Sequence, residues 1–148
     1  MQTIELTREQ LDYGFVATDV LGHRVQIDTS PESGGKNFGA RPMQLLLMGL
    51  AGCSAIDVIS ILKKQRQQIN DYKMVVRGER EHGKEPSLWK EIEVEFHLYG
   101  EIEPAKAQRA ADLSIEKYCS VAATLRAAGA NIQYKVLVND VAAVAQTV

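Results

Sequence analysis

Arg41-Pro42-Met43-Gln44-Leu45-Leu46-Leu47-Met48-Gly49-Leu50-Ala51-Gly52-Cys53-Ser54-Ala55 is the stretch on which the reading of the whole chain turns. Pro42 has no amide hydrogen and a fixed φ, both suited to a first helical position, and no further proline interrupts the residues up to about Gln67. The predicted helix therefore runs from Met43 to about Gln67. Its early part is apolar nearly all round, which predicts burial on every side, under a larger core or a partner subunit. Its end, Lys63-Lys64-Gln65-Arg66-Gln67-Gln68, is solvated and places cations where the helix dipole favours them. Cys53 lies inside this helix among small residues.

Working outward, the first 28 residues read as a three-strand meander. Thr3 to Thr7, Phe15 to Thr18 and Arg24 to Asp28 alternate, separated by turn signals at Asp12-Tyr13-Gly14 and Leu21-Gly22-His23. Thr29 to Gly39, with its glycines, serines, Pro31 and Asn37, reads as a mobile loop. Beyond the helix, Tyr72 to Arg80 and Lys90 to Tyr99 alternate and are joined by Glu81 to Ser87, which predicts a long hairpin with one wet face. Pro104 opens a second helix to about Lys117. Ser120 is placed to cap a short helix from Val121 to Ala128, closed by Gly129, and Asn131 to Val138 is a last strand. The tail Asp140 to Val148 reads as weak helix or coil. The order βββ-α-ββ-αα-β predicts an α+β fold with segregated helices, in a single domain of residues 1–148: N-terminal strands and loop at 1–39, then a helix/hairpin/helix core at 40–148.

Composition narrows the function. The chain has 148 residues, 45% hydrophobic and 24% charged, with a net charge of -2. Its charges are interspersed, with no basic block, so a nucleic-acid partner has no electrostatic footprint. Leu45 to Ala51, the longest apolar run, is too short to span a bilayer, and the N-terminus carries no secretory pattern. A cytoplasmic address with no membrane partner is the expectation. No glycine-rich motif introduces a helix, so no nucleotide cofactor is expected. His23, His82 and His97 are scattered, and the two cysteines show no Cys-x-x-Cys spacing, so no metal site is expected either.

The chemistry rests on those two cysteines, Cys53 and Cys119, the second in Glu116-Lys117-Tyr118-Cys119-Ser120-Val121. In a reducing compartment such a pair is more often free or catalytic than a permanent crosslink. A thiol attacks peroxide oxygen as a thiolate, and the resulting sulfenic acid condenses with a second thiol into a disulfide. The plain alternative is two buried small hydrophobes. Glu116 and Lys117 adjoin Cys119 and are candidates to tune it. Asp57, one turn beyond Cys53, reads as a surface or capping residue. Met43 and Met48 read as core fillers.

The two cysteine motifs resemble those of the OsmC/Ohr family, the osmotically inducible and organic-hydroperoxide-resistance proteins. Ala40-Arg41-Pro42-Met43-Gln44-Leu45 followed by Gly49-Leu50-Ala51-Gly52-Cys53-Ser54-Ala55 resembles the Pro-Glu-Gln-Leu…Ala-Ala-Cys helix of that family. Glu116 to Val121 resembles its second cysteine segment, closest to a branch bearing Gly-Cys-Ser and Lys-Tyr-Cys-Ser. The resemblance implies an intertwined homodimer, antiparallel sheets wrapping paired central helices, with active sites at the interface. It implies that Cys53 is the peroxidatic thiol and Cys119 the resolving one, that the substrate is a small-molecule organic hydroperoxide, and that a dithiol or lipoylated protein is the reductant. Arg41, Met43, Gln44 and Glu116 are then the candidate activating or pocket residues, with Met43, Leu46, Leu47 and Leu50 around the approach to Cys53. One departure stands out: Met43 occupies the family's glutamate position. Its arginine partner, expected among Leu11, Asp12, Tyr13 and Gly14, has no counterpart, although Arg8, Arg24 and Arg41 lie nearby in sequence. That departure favours an alternative, a non-catalytic protein binding an apolar ligand at the dimer interface or sensing redox state.

Overall fold

The computed structural model describes residues 1–143 and divides the chain into two compact units, Met1–Leu46 and Leu47–Val148. In the first, β1 (Ile4–Gln10), β2 (Gly14–Asp19) and β3 (Arg24–Ile27) form an antiparallel meander in the predicted order. The β1–β2 connection places Asp12 in the left-handed region (φ 69°), a conformation that aspartate tolerates better than most residues. Gly14 follows because a Cβ there would stand 2.6 Å from that of Gln10.

The segment after β3 is not the loose loop its composition suggests. Asp28 is buried, 2% exposed, and its carboxylate accepts backbone N–H bonds from Thr29 (2.7 Å), Lys36 (2.8 Å) and Phe38 (3.0 Å). These donors, Phe38 foremost, hold the Asp28 carboxyl below the usual range. Ala40 then bridges back to β3, donating to the Gln26 carbonyl at 3.0 Å. One buried carboxylate thus organises the loop that leads into the long helix.

That helix, α1 (Pro42–Lys64), starts at the predicted proline but ends three residues early. Arg66 takes a left-handed conformation (φ 57°), and the amides of Arg66 and Gln67 bond back to Lys63 and Leu62. Within this chain alone α1 is not buried on all sides. Leu50, Ser54, Val58 and Leu62 form the buried stripe, one residue per turn, whereas Met48 is 55% and Ile56 69% exposed. By length and mean hydropathy (23 residues, 2.2) α1 is apolar enough to cross a bilayer. The contiguous run Leu45–Ala51 conceals this, because isolated glycines, serines and Asp57 break up the apolar residues that follow.

The second unit is built on β4 (Gln68–Arg80) and β5 (Trp89–Glu101), an antiparallel hairpin of two 13-residue strands. Ile92, Val94, Phe96 and Leu98 of β5 point inward while Glu91 and Glu93 are exposed, as the alternation predicted. The chain then crosses through α2 (Pro104–Leu113), a π-helical turn (Ser114–Tyr118) and α3 (Ser120–Ala127) to β6 (Asn131–Val138). This helical crossover lays β6 parallel to β5, with Phe96 opposite Val136, so the sheet is mixed where an antiparallel one was expected. The expected tail of weak helix or coil begins instead with a short strand, β7 (Val141–Ala142), on β6, and residues 144–148 of it lie outside the described residues. The core joins the α1 stripe to the inner faces of β5 and β6. Ala107, Ala110 and Ala111 of α2 are fully buried against it, their small side chains permitting close approach. Phe96 meets the Tyr134 ring edge-to-face, centroids 6.4 Å apart.

Candidate functional site

Both cysteines belong to the second unit, and the fold brings them together across 66 residues of sequence (119 − 53). Cys53 is half-buried on α1. Cys119 is 2% exposed in the break between the π turn and α3. Their sulfurs and a carboxylate oxygen of Asp57 all lie within 4.8 Å of one another. Both thiols are free.

Local structure explains each position. Asp57 follows Cys53 by four residues on α1 and so shares its face. The π turn ends where the Cys119 amide donates to the Ser114 carbonyl at 2.8 Å, after which Cys119 takes an extended conformation (φ -69°, ψ 102°) and starts α3. Cys119 itself is the N-cap, in place of the predicted Ser120: its Sγ accepts the Ala122 N–H at 3.4 Å. The fully buried Ser114 hydroxyl donates to Asp57 Oδ2 at 3.1 Å. Ser114 therefore holds one site residue by its side chain and another by its carbonyl.

Burial pushes the Cys119 thiol up to about 11; the adjacent Cys53 sulfur adds to this, and the Ala122 N–H works against it. Cys119 is consequently a neutral thiol near pH 7. Beside the site opens a cleft of about 530 Å³ lined by Asp57, Ser60, Ile61, Lys64, Leu113 and Tyr118, among others.

The other predicted residues are placed differently. Glu116 receives a two-pronged ion pair from Arg126 (2.7 and 2.9 Å), and Arg126 also donates to the Ile115 carbonyl at 2.9 Å, fastening the π turn to α3. Lys117 lies over the Tyr118 ring, 5.4 Å from its centroid. Arg41 bonds within the first unit, its amide to Gln44 Oε1 (3.0 Å) and its guanidinium to Asn37 (3.3 Å). Arg24 pairs with Glu9. Met43 is half-buried in the first turn of α1, next to the exposed Gln44. Of the three expected pocket leucines, Leu50 is wholly buried in the core, Leu47 is half-buried with its tip near Gly78 of β4, and Leu46 is exposed. Asp57, read from the sequence as a surface or capping residue, and Ser114, which the sequence reading did not single out, are the further residues of the site. The i, i+4 spacing to Cys53 signalled the first, and nothing in the sequence signalled the second.

These features define a two-cysteine α+β protein with its thiols joined by a helix face and a helix cap. The family model for OsmC-like protein matches residues 33–135, and the chain belongs to that family. Protein YhfA of Escherichia coli K12 is 41% identical over 115 residues, 77% of this chain and 82% of the relative. A solved structure of a hypothetical protein from Aquifex aeolicus VF5 is 31% identical and superposes with a TM-score of 0.80, covering 93% of this chain and 96% of that one. An organic hydroperoxide resistance protein OsmC from Legionella pneumophila shares the fold at 16% identity and a TM-score of 0.67, again over 93% and 96% of the two chains. Within this fold α1 contributes Leu50, Val58 and Leu62 to the core.

Proposed function

We propose that this protein, acting as one OsmC-like domain in a cytoplasmic homodimer, reduces organic hydroperoxides with Cys53 as peroxidatic and Cys119 as resolving thiol. The observation that carries the reading is the triad of Cys53, Cys119 and Asp57, mutually within 4.8 Å and graded from half-buried to buried. The Cys53 thiolate attacks the terminal peroxide oxygen, the O–O bond breaks, and the alcohol leaves with a proton, giving Cys53 sulfenic acid. Cys119 then attacks that sulfur, the S–O bond breaks, and water departs as the disulfide forms. Two thiols and one hydroperoxide thus give one disulfide, one alcohol and one water. A thiol held neutral needs a base when it attacks, and the Asp57 carboxylate, within 4.8 Å of the sulfur, is the candidate to accept its proton, directly or through a water. A dithiol or lipoylated protein returns the disulfide to the thiols.

The cleft beside Asp57 supports a preference for organic peroxides. Ile61, Leu113 and Tyr118 offer an apolar tail a partial cover that hydrogen peroxide cannot use. About two buried methylenes at ~0.8 kcal/mol each give a preference on the order of tenfold. The exposed Met48 and Ile56, flanking a Gly52 with open space beside it, support a second copy against α1. Turnover of cumene hydroperoxide and of hydrogen peroxide under a dithiol reductant tests the reading, with peptide mapping of the oxidised protein. The expected outcome is a single Cys53–Cys119 crosslink, faster turnover of the organic peroxide, and none in Cys53→Ser. Equal rates for the two peroxides, or activity surviving in Cys53→Ser, would favour instead an apolar-ligand or redox-sensing protein.

A further inference from the structure

We infer that the reduced site is also a metal site: Cys53, Cys119 and Asp57 bind one zinc ion per chain, leaving a fourth position open. The expectation of no metal rested on the missing Cys-x-x-Cys spacing, but here the donors are assembled by the fold from α1 and the start of α3. Two thiolates and a carboxylate are a donor set suited to this borderline-soft ion, and three protein ligands with one open position are the pattern of a reactive zinc site. A tetrahedral zinc ion, about 2.3 Å from each sulfur and 2.0–2.2 Å from the oxygen, keeps its ligand atoms roughly 3.5–3.8 Å apart. The three donor atoms already lie within 4.8 Å of one another, roughly 1 Å beyond that spacing at most.

The groups behind the donors are those a metal site requires. Ser114, fully buried, donates to Asp57 Oδ2 and orients the carboxylate. The Ala122 amide donates to Cys119 Sγ, as amides do to metal-bound thiolates. Binding displaces two thiol protons, and the complex of one dication, two thiolates and one carboxylate carries a net charge of -1, with water completing the tetrahedron. The cleft lined by Asp57, Ser60 and Tyr118 opens beside the carboxylate donor. Joining the sulfurs in a disulfide removes both thiolates, so oxidation and metal binding exclude each other.

The test uses cobalt(II) as a spectroscopic probe on the full, reduced protein under anaerobic conditions, followed by competition with zinc. The expected result is one cobalt per chain, with an intense near-ultraviolet thiolate-to-metal band and the visible bands of a tetrahedral ion, all lost on adding zinc. Asp57→Asn should weaken binding at least a hundredfold, and Ser114→Ala on the order of tenfold. Cys53→Ser, at a half-buried position, should abolish the tetrahedral signature while the far-ultraviolet dichroism stays that of the wild type. An absent thiolate band, or unchanged affinity in Asp57→Asn, overturns the site. The proposed peroxide chemistry is scored separately, by disulfide formation in the metal-free wild type. Crosslinking without cobalt binding sinks the metal site alone, and cobalt binding without crosslinking sinks the peroxidase alone.

Discussion

The two units of the chain differ sharply in what they bury. From Leu50 onward, a continuous cluster of apolar side chains fills the space between α1, α2, α3 and the inner faces of β5 and β6. In Met1–Leu46 the buried side chains are Val16 and Asp28, while β1 is exposed along its whole length, including Ile4 and Leu6. A three-stranded sheet with so little apolar burial is marginal by itself, since hydrophobic transfer and not strand pairing outweighs the chain entropy. The second unit is held by packing. The first is held by hydrogen bonds and one carboxylate.

The contrast can be broken most directly in the core. Phe96→Ala should cost about 3–5 kcal/mol in urea unfolding, because a fully buried ring leaves a cavity that its neighbours fill only in part. Val16→Ala should cost about 1–2.5 kcal/mol, the smaller loss of two methyl groups. Equal losses would mean that the first unit is as tightly packed as the second.

The same core governs Cys119. With its thiol raised to about 11, alkylation of Cys119 by iodoacetamide should rise only above pH 9–10, and at pH 7 should lag that of a free thiol on the order of a hundredfold. The linked stability has a definite sign. An acid whose folded value is raised stabilises the fold below its ordinary value and loses that contribution as pH climbs toward about 11. An alkylation midpoint near that of a free thiol would place Cys119 in contact with water.

Next in size is the uncovered face of α1. Ile56→Glu should raise the dissociation constant of the proposed dimer at least tenfold, about 1.4 kcal/mol, read by sedimentation equilibrium. A monomeric wild type at micromolar concentration would instead leave this stripe without an occupant.

Smaller effects mark the first unit and the outer sheet face. Asp28→Asn keeps the shape and removes the charge on which three amides converge, so cleavage by a nonspecific protease should quicken severalfold between Thr29 and Gly39. Because the Asp28 carboxyl is held low, its contribution is present above the ordinary carboxylate range and fades as acid protonates the folded form. On β5, Glu95 is ringed by Lys135 (2.9 Å), Arg77 (2.7 Å) and His97 (3.2 Å), which depress it to about 2, Lys135 first. Its contribution, too, is full above the ordinary glutamate value and is lost as pH falls toward about 2. Glu95→Gln should therefore flatten the acid limb of the stability curve, lowering stability at pH 7 and changing little near pH 2.

Much of this was legible in one dimension. Pro42 marks the start of α1, the alternation from Ile92 to Leu98 marks an inward face, and Asn131–Val138 is the predicted strand to the residue. Spacing along a helix or strand is a local property, so periodicity and capping chemistry determine it without knowledge of the remainder. The two cysteine motifs carried the family in the same way. Only tertiary structure decided that Cys119 would meet Cys53, that Ser114 would hold Asp57, and that Asp28 would tie down a glycine-rich loop. Each of these joins groups far apart in sequence, or depends on a burial that no local pattern encodes. The parallel placement of β6 and the bare outer stripe of α1 belong with them, because strand direction and helix cover follow from where the connecting elements pack.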